Sequence, residues 1–266
     1  MQRSLTCLCL TVALRPLPAS AHAEERDFCA NRPGLGTPAC TLAPGSAMVE
    51  VGIGAWDHSS DAHSVEDDTT LGDALLRVGV TETAEVQFGL TSHVIQRTRD
   101  RKTGAVSRVA GIGDGTLAVR QSLSGPNGKI ALEAFATLPF AKQPSGIGEW
   151  SGGLLLPADF ELPSGFEIDF TPELDVSANA SGVGHHLSWG GVVGLSHALG
   201  KAVTLTGEME AFRDDDPDGH STDARVAGSL AWQVSSRFQL DFEADAGISA
   251  GAPERSLAVG LAWQFR

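Results

Sequence analysis

Residues 238–248 read Phe-Gln-Leu-Asp-Phe-Glu-Ala-Asp-Ala-Gly-Ile. Every second side chain is apolar, and those between are polar, acidic or absent. A repeat of two residues is the mark of a β-strand with one apolar and one polar face. The same alternation runs through Glu167–Val176 and Ala84–Leu90. No long stretch carries the i, i+3, i+4, i+7 spacing of an amphipathic helix. Working outward, twelve segments of this kind lie near 46–56, 69–80, 84–95, 111–123, 129–140, 149–161, 166–177, 185–197, 202–212, 223–234, 238–249 and 255–266. Most exceed the ~5–6 residues of an ordinary strand and match the ~9–11 that a tilted strand needs to cross a bilayer.

The connections alternate in length. Thr81–Thr83, Ser124–Gly128, Leu162–Gly165, Ala198–Lys201 and Ser235–Arg237 are tight. Those between them, at 57–68, 96–110, 141–148, 178–184, 213–222 and 250–254, are mostly longer and more polar. An even strand number with short turns at one end and longer loops at the other is the pattern of outer-membrane barrels. The expected fold is therefore all-β, an antiparallel up-and-down transmembrane barrel of about twelve strands. The turns and both termini would face the periplasm and the loops the outside.

Charge placement sharpens this reading. One face of each strand is free of charge, as in Phe166/Ile168/Phe170/Leu174 and Leu257/Val259/Leu261/Trp263/Phe265. The opposite face is acidic: Glu50, Glu85, Glu133, Asp159, Glu161, Glu167, Asp169, Glu173, Asp175, Glu208, Glu210, Asp241, Glu243 and Asp245, with Arg77, Arg120 and Arg225 as its main basic members. So many charges cannot fill a dry core. They need a wet lumen, or, in a soluble sandwich of inverted logic, open solvent. An acidic lumen favours cations and neutral molecules over anions. A formal charge of −14 and a pI near 4.9 argue against nucleic acid as a partner. Tyrosine, a usual girdle residue of membrane barrels, is absent.

The first 23 residues read as a cleavable signal peptide: Arg3, the short apolar run Leu5–Leu14, then Ala21-His22-Ala23. Cleavage removes Cys7 and Cys9. Cys29 and Cys40 remain around a Pro/Gly-rich stretch, and in an exported chain such a pair reads as a disulfide. Residues 24–45 are read as an N-terminal periplasmic segment and 46–266 as the barrel. The final Leu-Ala-Trp-Gln-Phe-Arg resembles the signal by which barrels are recognised for assembly, with Phe265 penultimate rather than last.

The run Gly111-Ile-Gly113-Asp114-Gly-Thr-Leu-Ala-Val-Arg-Gln-Ser-Leu resembles a family of outer-membrane transporter-like proteins described as putative MetA-pathway of phenol degradation. There a G-x-G-D run opens a strand after a variable loop, here the one containing Arg99-Asp100-Arg101-Lys102. The likeness extends through Thr81–Gly89 and the Glu149–Asp169 hairpin. It implies uptake of small aromatic compounds by association with the family's name and carries over no substrate site.

Several constellations have sharper readings. A tight turn at Leu162–Gly165 sets Glu161 opposite Glu167 and Asp159 opposite Asp169, either a cation-attracting cluster or wall charges screened by water and salt. The same arithmetic sets Glu210 opposite Arg225 as a structural pair. Asp214, Asp216 and Asp218 match the first half of a calcium loop, but Arg225 stands where its closing Glu is required. The basic 96–110 loop is either a partner for lipopolysaccharide phosphates or simply a solvated loop. Gly247–Gly251 fits G-x-S-x-G by letters only, and His185-His186 opens a strand. No catalytic set, cofactor or metal is assigned. The function expected is passage of small solutes, aromatic or otherwise hydrophobic, through a monomeric barrel whose partners are outer-membrane lipid, lipopolysaccharide, the barrel assembly machinery and the solute. The alternatives are an outer-membrane hydrolase and a structural or surface-binding barrel.

Overall fold

A computed structural model describes residues 26–142 and 145–265; the expected signal peptide, 1–23, lies outside the described residues. Fourteen strands run in chain order: β1 Ala47–Ser60, β2 Ser64–Gly79, β3 Ala84–Asp100, β4 Val106–Gly111, β5 Gly115–Ser122, β6 Ala131–Leu138, β7 Ser151–Leu155, β8 Ala158–Leu162, β9 Phe166–Ala178, β10 His185–Ala198, β11 Val203–Asp214, β12 Ser221–Ser235, β13 Phe238–Gly247 and β14 Arg255–Phe265. β4 and β5 share one position in the wall, interrupted at residues 112–114. β7 and β8 share another, interrupted at Leu156-Pro157, where proline offers no N–H to the ladder. The result is a closed, antiparallel, twelve-stranded barrel. It closes where β14 pairs with β1, Val51 opposite Leu261, so no long edge stays unpaired.

The registers follow from the period-2 pattern and the turns. Asp159 faces Asp169 and Glu161 faces Glu167 across β8 and β9, and Glu210 faces Arg225 across β11 and β12. Two stretches read as loops are largely strand. β1 and β2 stay paired out to Ser60 and Val65, and β3 and β4 out to Arg99 and Val106. Polar residues on both faces there mark a hairpin that has risen out of an apolar surround, not a coil.

The apolar face points outward around the whole circumference. Phe88, Leu117, Leu154, Phe170, Trp189, Met209, Trp232, Phe242 and Trp263 are all exposed. A water-soluble sandwich would bury them, and a continuous belt of this kind calls for lipid. The interior is the reverse. Its most completely buried large side chains include Arg77, Arg120, Glu50 and Glu85, and among the described residues the buried apolar cluster is small: Leu42, Met48 and Ala262 with Phe28 and Ala30 against it.

The N-terminal segment is not set apart from the barrel. Residues 26–45 run inside its turn-side half, and the inward carboxylates of the wall are the reason, as the hydrogen bonds below show. The segment holds the Cys29–Cys40 disulfide, with Cα atoms 6.2 Å apart.

Candidate functional site

A Pro/Gly-rich segment without helix or strand brings backbone N–H groups into the barrel that its own fold cannot satisfy. The wall's acids accept them. Glu50 takes the N–H groups of Asn31 and Arg32, both at 3.0 Å. Glu243 takes Gly34 at 2.7 Å. Glu208 takes Leu35 at 3.0 Å and Gly36 at 2.9 Å. Asp159 takes Ala39 at 3.0 Å and Glu85 takes Leu42 at 2.8 Å. Thr171 accepts the Thr37 N–H and donates its hydroxyl to the Thr37 carbonyl, both at 3.1 Å. Gln239 donates to the Arg32 carbonyl at 2.7 Å. Of the segment's two arginines, Arg32 reaches Asp241 at 3.2 Å and Arg26 pairs with Glu82 at 2.9 Å.

Two wall arginines hold the segment from its other flank. Arg77, fully buried, donates to Glu85 at 2.8 Å, to Glu50 at 3.1 Å and to the Cys29 carbonyl at 2.6 Å. Arg120 donates to Glu133 at 2.6 Å, to the Cys40 carbonyl at 3.1 Å and to Asn31 at 3.1 Å. Gln87 links Glu85 and Glu133, 2.9 Å from each. The guanidinium groups thus neutralise carboxylates and grip both ends of the disulfide loop at once, with charge-assisted bonds on nearly every donor. Close approach requires glycine at two points. Gly34 has φ of +121°, and a Cβ there would lie 2.8 Å from Glu208 Oε2; a Cβ on Gly36 would lie 2.9 Å from Asp169 Oδ1.

The acidic face read from the sequence therefore divides into groups. Asp159, Glu208, Asp241 and Glu243 bind the segment, and Asp169 lies against it. Glu161 and Glu167 sit at the exposed turn-side rim with Lys129 between them, 3.0 Å from one and 3.4 Å from the other. Glu210 pairs with Arg225 at 2.8 Å, and Arg225 lies 3.5 Å from Asp223. Glu173, Asp175 and Asp245 lie on the loop side of the segment, and one oxygen each of Asp175 and Asp245 has no hydrogen-bond partner. Sequence reading missed Asn31, Arg32, Gln87, Lys129, Thr171 and Gln239. Only Arg32, an isolated cation between two cysteines, offered a signal.

Beside Asn31 the packing leaves a cavity of about 270 Å³. Its lining includes Leu75, Gln87, Thr116, Phe135 and Leu155. These are inward positions on β2, β3, β5, β6 and β7, and apolar groups meet a few polar ones there.

The remaining constellations resolve differently. Ser249 donates to the Thr222 carbonyl and accepts the Ala224 N–H, both at 2.8 Å, so it ties a loop to β12. His185 lies 2.9 Å from the Trp150 carbonyl, its ring tilted 33° to that of Trp150 with centroids 4.3 Å apart. Arg97 pairs with Asp67 at 3.0 Å. In the acidic loop, Asp216 accepts the Ala180 N–H at 2.7 Å and the Asp218 N–H at 2.8 Å. These two backbone donors, Ala180 first, hold its carboxyl below the ordinary range.

The sequence profile of a family described as putative MetA-pathway of phenol degradation matches residues 30–265. Among solved structures, an outer membrane channel from Pseudomonas putida F1 is 14% identical with a TM-score of 0.66, covering 88% of this chain and 99% of its own. The β domain of the Bordetella autotransporter BrkA is 13% identical with a TM-score of 0.54, covering 84% of this chain and all of its own. The translocator domain of the autotransporter NalP from Neisseria meningitidis is 13% identical with a TM-score of 0.51, covering 83% and 88%. At these identities the likeness is one of fold. No curated protein matches the chain in sequence.

Proposed function

Because the chain belongs to the putative MetA-pathway of phenol degradation family, we propose that it is a narrow outer-membrane channel for small, largely uncharged solutes of single-ring aromatic size. The observation that carries this reading is the small mixed cavity beside Asn31, where the N-terminal segment meets the barrel wall. A water-filled pore of porin width would pass hydrophilic solutes freely. Here the segment runs through the turn-side half, and the cavity of about 270 Å³ is below the ~300–1,000 Å³ of drug-sized pockets. Leu75, Phe135 and Leu155 offer a ring its faces, while Gln87 and Thr116 offer a hydroxyl its hydrogen bonds.

The apolar circumference sets the barrel in lipid, and the short turns face the periplasm. An exported monomer, inserted by the barrel assembly machinery with lipopolysaccharide around its basic hairpin, completes the reading. On the loop side, the carboxylates of Asp175, Asp245 and Glu173 make the entry negative, which opposes anions and admits cations and neutral molecules. The reading is non-enzymatic: Ser249, the serine of the G-x-S-x-G match, spends its hydroxyl on backbone.

The test is uptake of phenol against benzoate and glucose in liposomes carrying the folded protein. Phenol entry above protein-free liposomes, with benzoate and glucose near background, is the expected result. Glucose entering as fast as phenol would overturn the reading in favour of a general pore.

A further inference from the structure

A second cluster forms at the loop end, away from the segment. His186 projects from the start of β10 with its side chain 5% exposed. Its Nδ1 lies 2.9 Å from Asn179 Oδ1. Asn179 Nδ2 donates to the Val183 carbonyl at 2.7 Å, which fixes the amide so that oxygen faces the ring. Nδ1 therefore carries the hydrogen, and Nε2 of the neutral ring presents a bare lone pair.

That lone pair is aimed at carboxylates. Nε2 lies 2.9 Å from Asp214 Oδ1, at hydrogen-bond distance without hydrogen-bond geometry, and it has no partner. Asp216 Oδ2 lies 3.8 Å from Nδ1 of the same ring. One ligand atom from each of the three residues lies within 4.8 Å of the other two. A lone pair facing anionic oxygen is repulsive, and a cation between them removes the conflict.

We propose that His186, Asp214 and Asp216 form a binding site for a divalent transition-metal ion of the zinc class. One imidazole nitrogen and two carboxylate oxygens suit such an ion, and three protein ligands leave a position for water. Asn179 plays the outer part of a metal-histidine pair, holding tautomer and ring direction. Calcium fits less well, since it takes ~6–8 oxygen ligands. Asp218 Oδ2 already accepts the Ser181 N–H at 3.3 Å. Arg225, at the position of the closing Glu, is paired with Glu210. The bound ion joins the β9–β10 loop to the β11–β12 loop, which already share the Ala180–Asp216 backbone bond.

The experiment titrates zinc against a chromophoric chelator, using the purified protein folded in detergent. It is repeated for His186→Gln and Asp214→Asn, each first shown to keep the heat-modifiable mobility of a folded barrel. The expected result is one zinc per barrel, weakened at least about tenfold by either substitution, with millimolar calcium unable to displace it. Cobalt in place of zinc should give visible absorption bands that His186→Gln abolishes. No zinc bound would mean that a proton on Nε2 resolves the conflict alone, and the proposal fails. It fails equally if both variants bind zinc like the parent, or if calcium displaces zinc at equal concentration.

Discussion

The two halves of the lumen are built from the same residue types and behave differently. On the turn side, Glu50, Glu85, Asp159 and Glu208 are buried, and each carboxylate accepts hydrogen bonds from the N-terminal segment. On the loop side, neither Asp175 nor Asp245 accepts a hydrogen bond from the segment; each keeps a buried oxygen without a partner, as Asp159 and Asp241 do for one oxygen each. What differs is a supply of donors. A coil with N–H groups to spare and two arginines turns a repulsive acidic wall into a docking surface. Without it the wall must rely on water and counter-ions. The lesson is that an acidic barrel face does not by itself define a cation path; the chain that meets it decides.

The sharpest way to break this comparison is to remove the donors. Deletion of residues 26–45 should empty the turn-side half and raise single-channel conductance several-fold in planar bilayers, with the barrel still folded by heat-modifiable mobility. Unchanged conductance would mean that the loop end, not the segment, sets the constriction. Arg77→Met is the next largest effect. It strands Glu50 and Glu85 in a site where the guanidinium is wholly buried. Breaking a buried pair costs about 3–5 kcal/mol, read as a fall in the urea midpoint with earlier proteolysis of the segment. A loss below ~1 kcal/mol would mean water already screens these charges.

The disulfide should matter less, and in a different place. Cys29→Ser with Cys40→Ser frees a loop of sequence separation 11, worth roughly 2–3 kcal/mol by the entropy of closure. The loss should appear as protease cutting within the segment while barrel unfolding barely moves. Equal loss in both would show that segment and barrel unfold as one unit. On the loop side, Asp175→Asn with Asp245→Asn should lower the cation-to-anion permeability ratio about twofold at low salt, measured as a reversal potential in a salt gradient. The paired Asp159 and Glu208 should contribute less to that ratio than these two, since their charge is already opposed by segment donors.

How much of this was legible follows from range. The strands, their faces and the registers at Asp159/Asp169 and Glu210/Arg225 were readable, because a period of two and a turn length are local facts. The two outer hairpins at 57–68 and 96–110 were misread because polarity on both faces looks like coil when the change of surroundings is not seen. The segment's place in the lumen was not legible at all. Arg32 and Asp241 are 209 residues apart, and nothing in either neighbourhood announces the other. His186 and Asp214 meet in the same way, through two loops whose lengths fix nothing about their approach.

Lys129 tests the comparison at its smallest scale. Glu161 and Glu167 oppose each other at the turn-side rim, where like charges destabilise a strand pair. Lys129 lies close to both, as the segment does for the deeper acids, yet its side chain is 48% exposed and that of Glu161 74%. Water and salt can do most of its work there. Lys129→Gln should therefore lower stability by no more than about 1 kcal/mol, and less in high salt, measured by thermal loss of the folded electrophoretic band. A cost near that of Arg77→Met would place the rim and the segment-lined half in one electrostatic unit. A small cost would confine strong coupling to the acids that the segment removes from water.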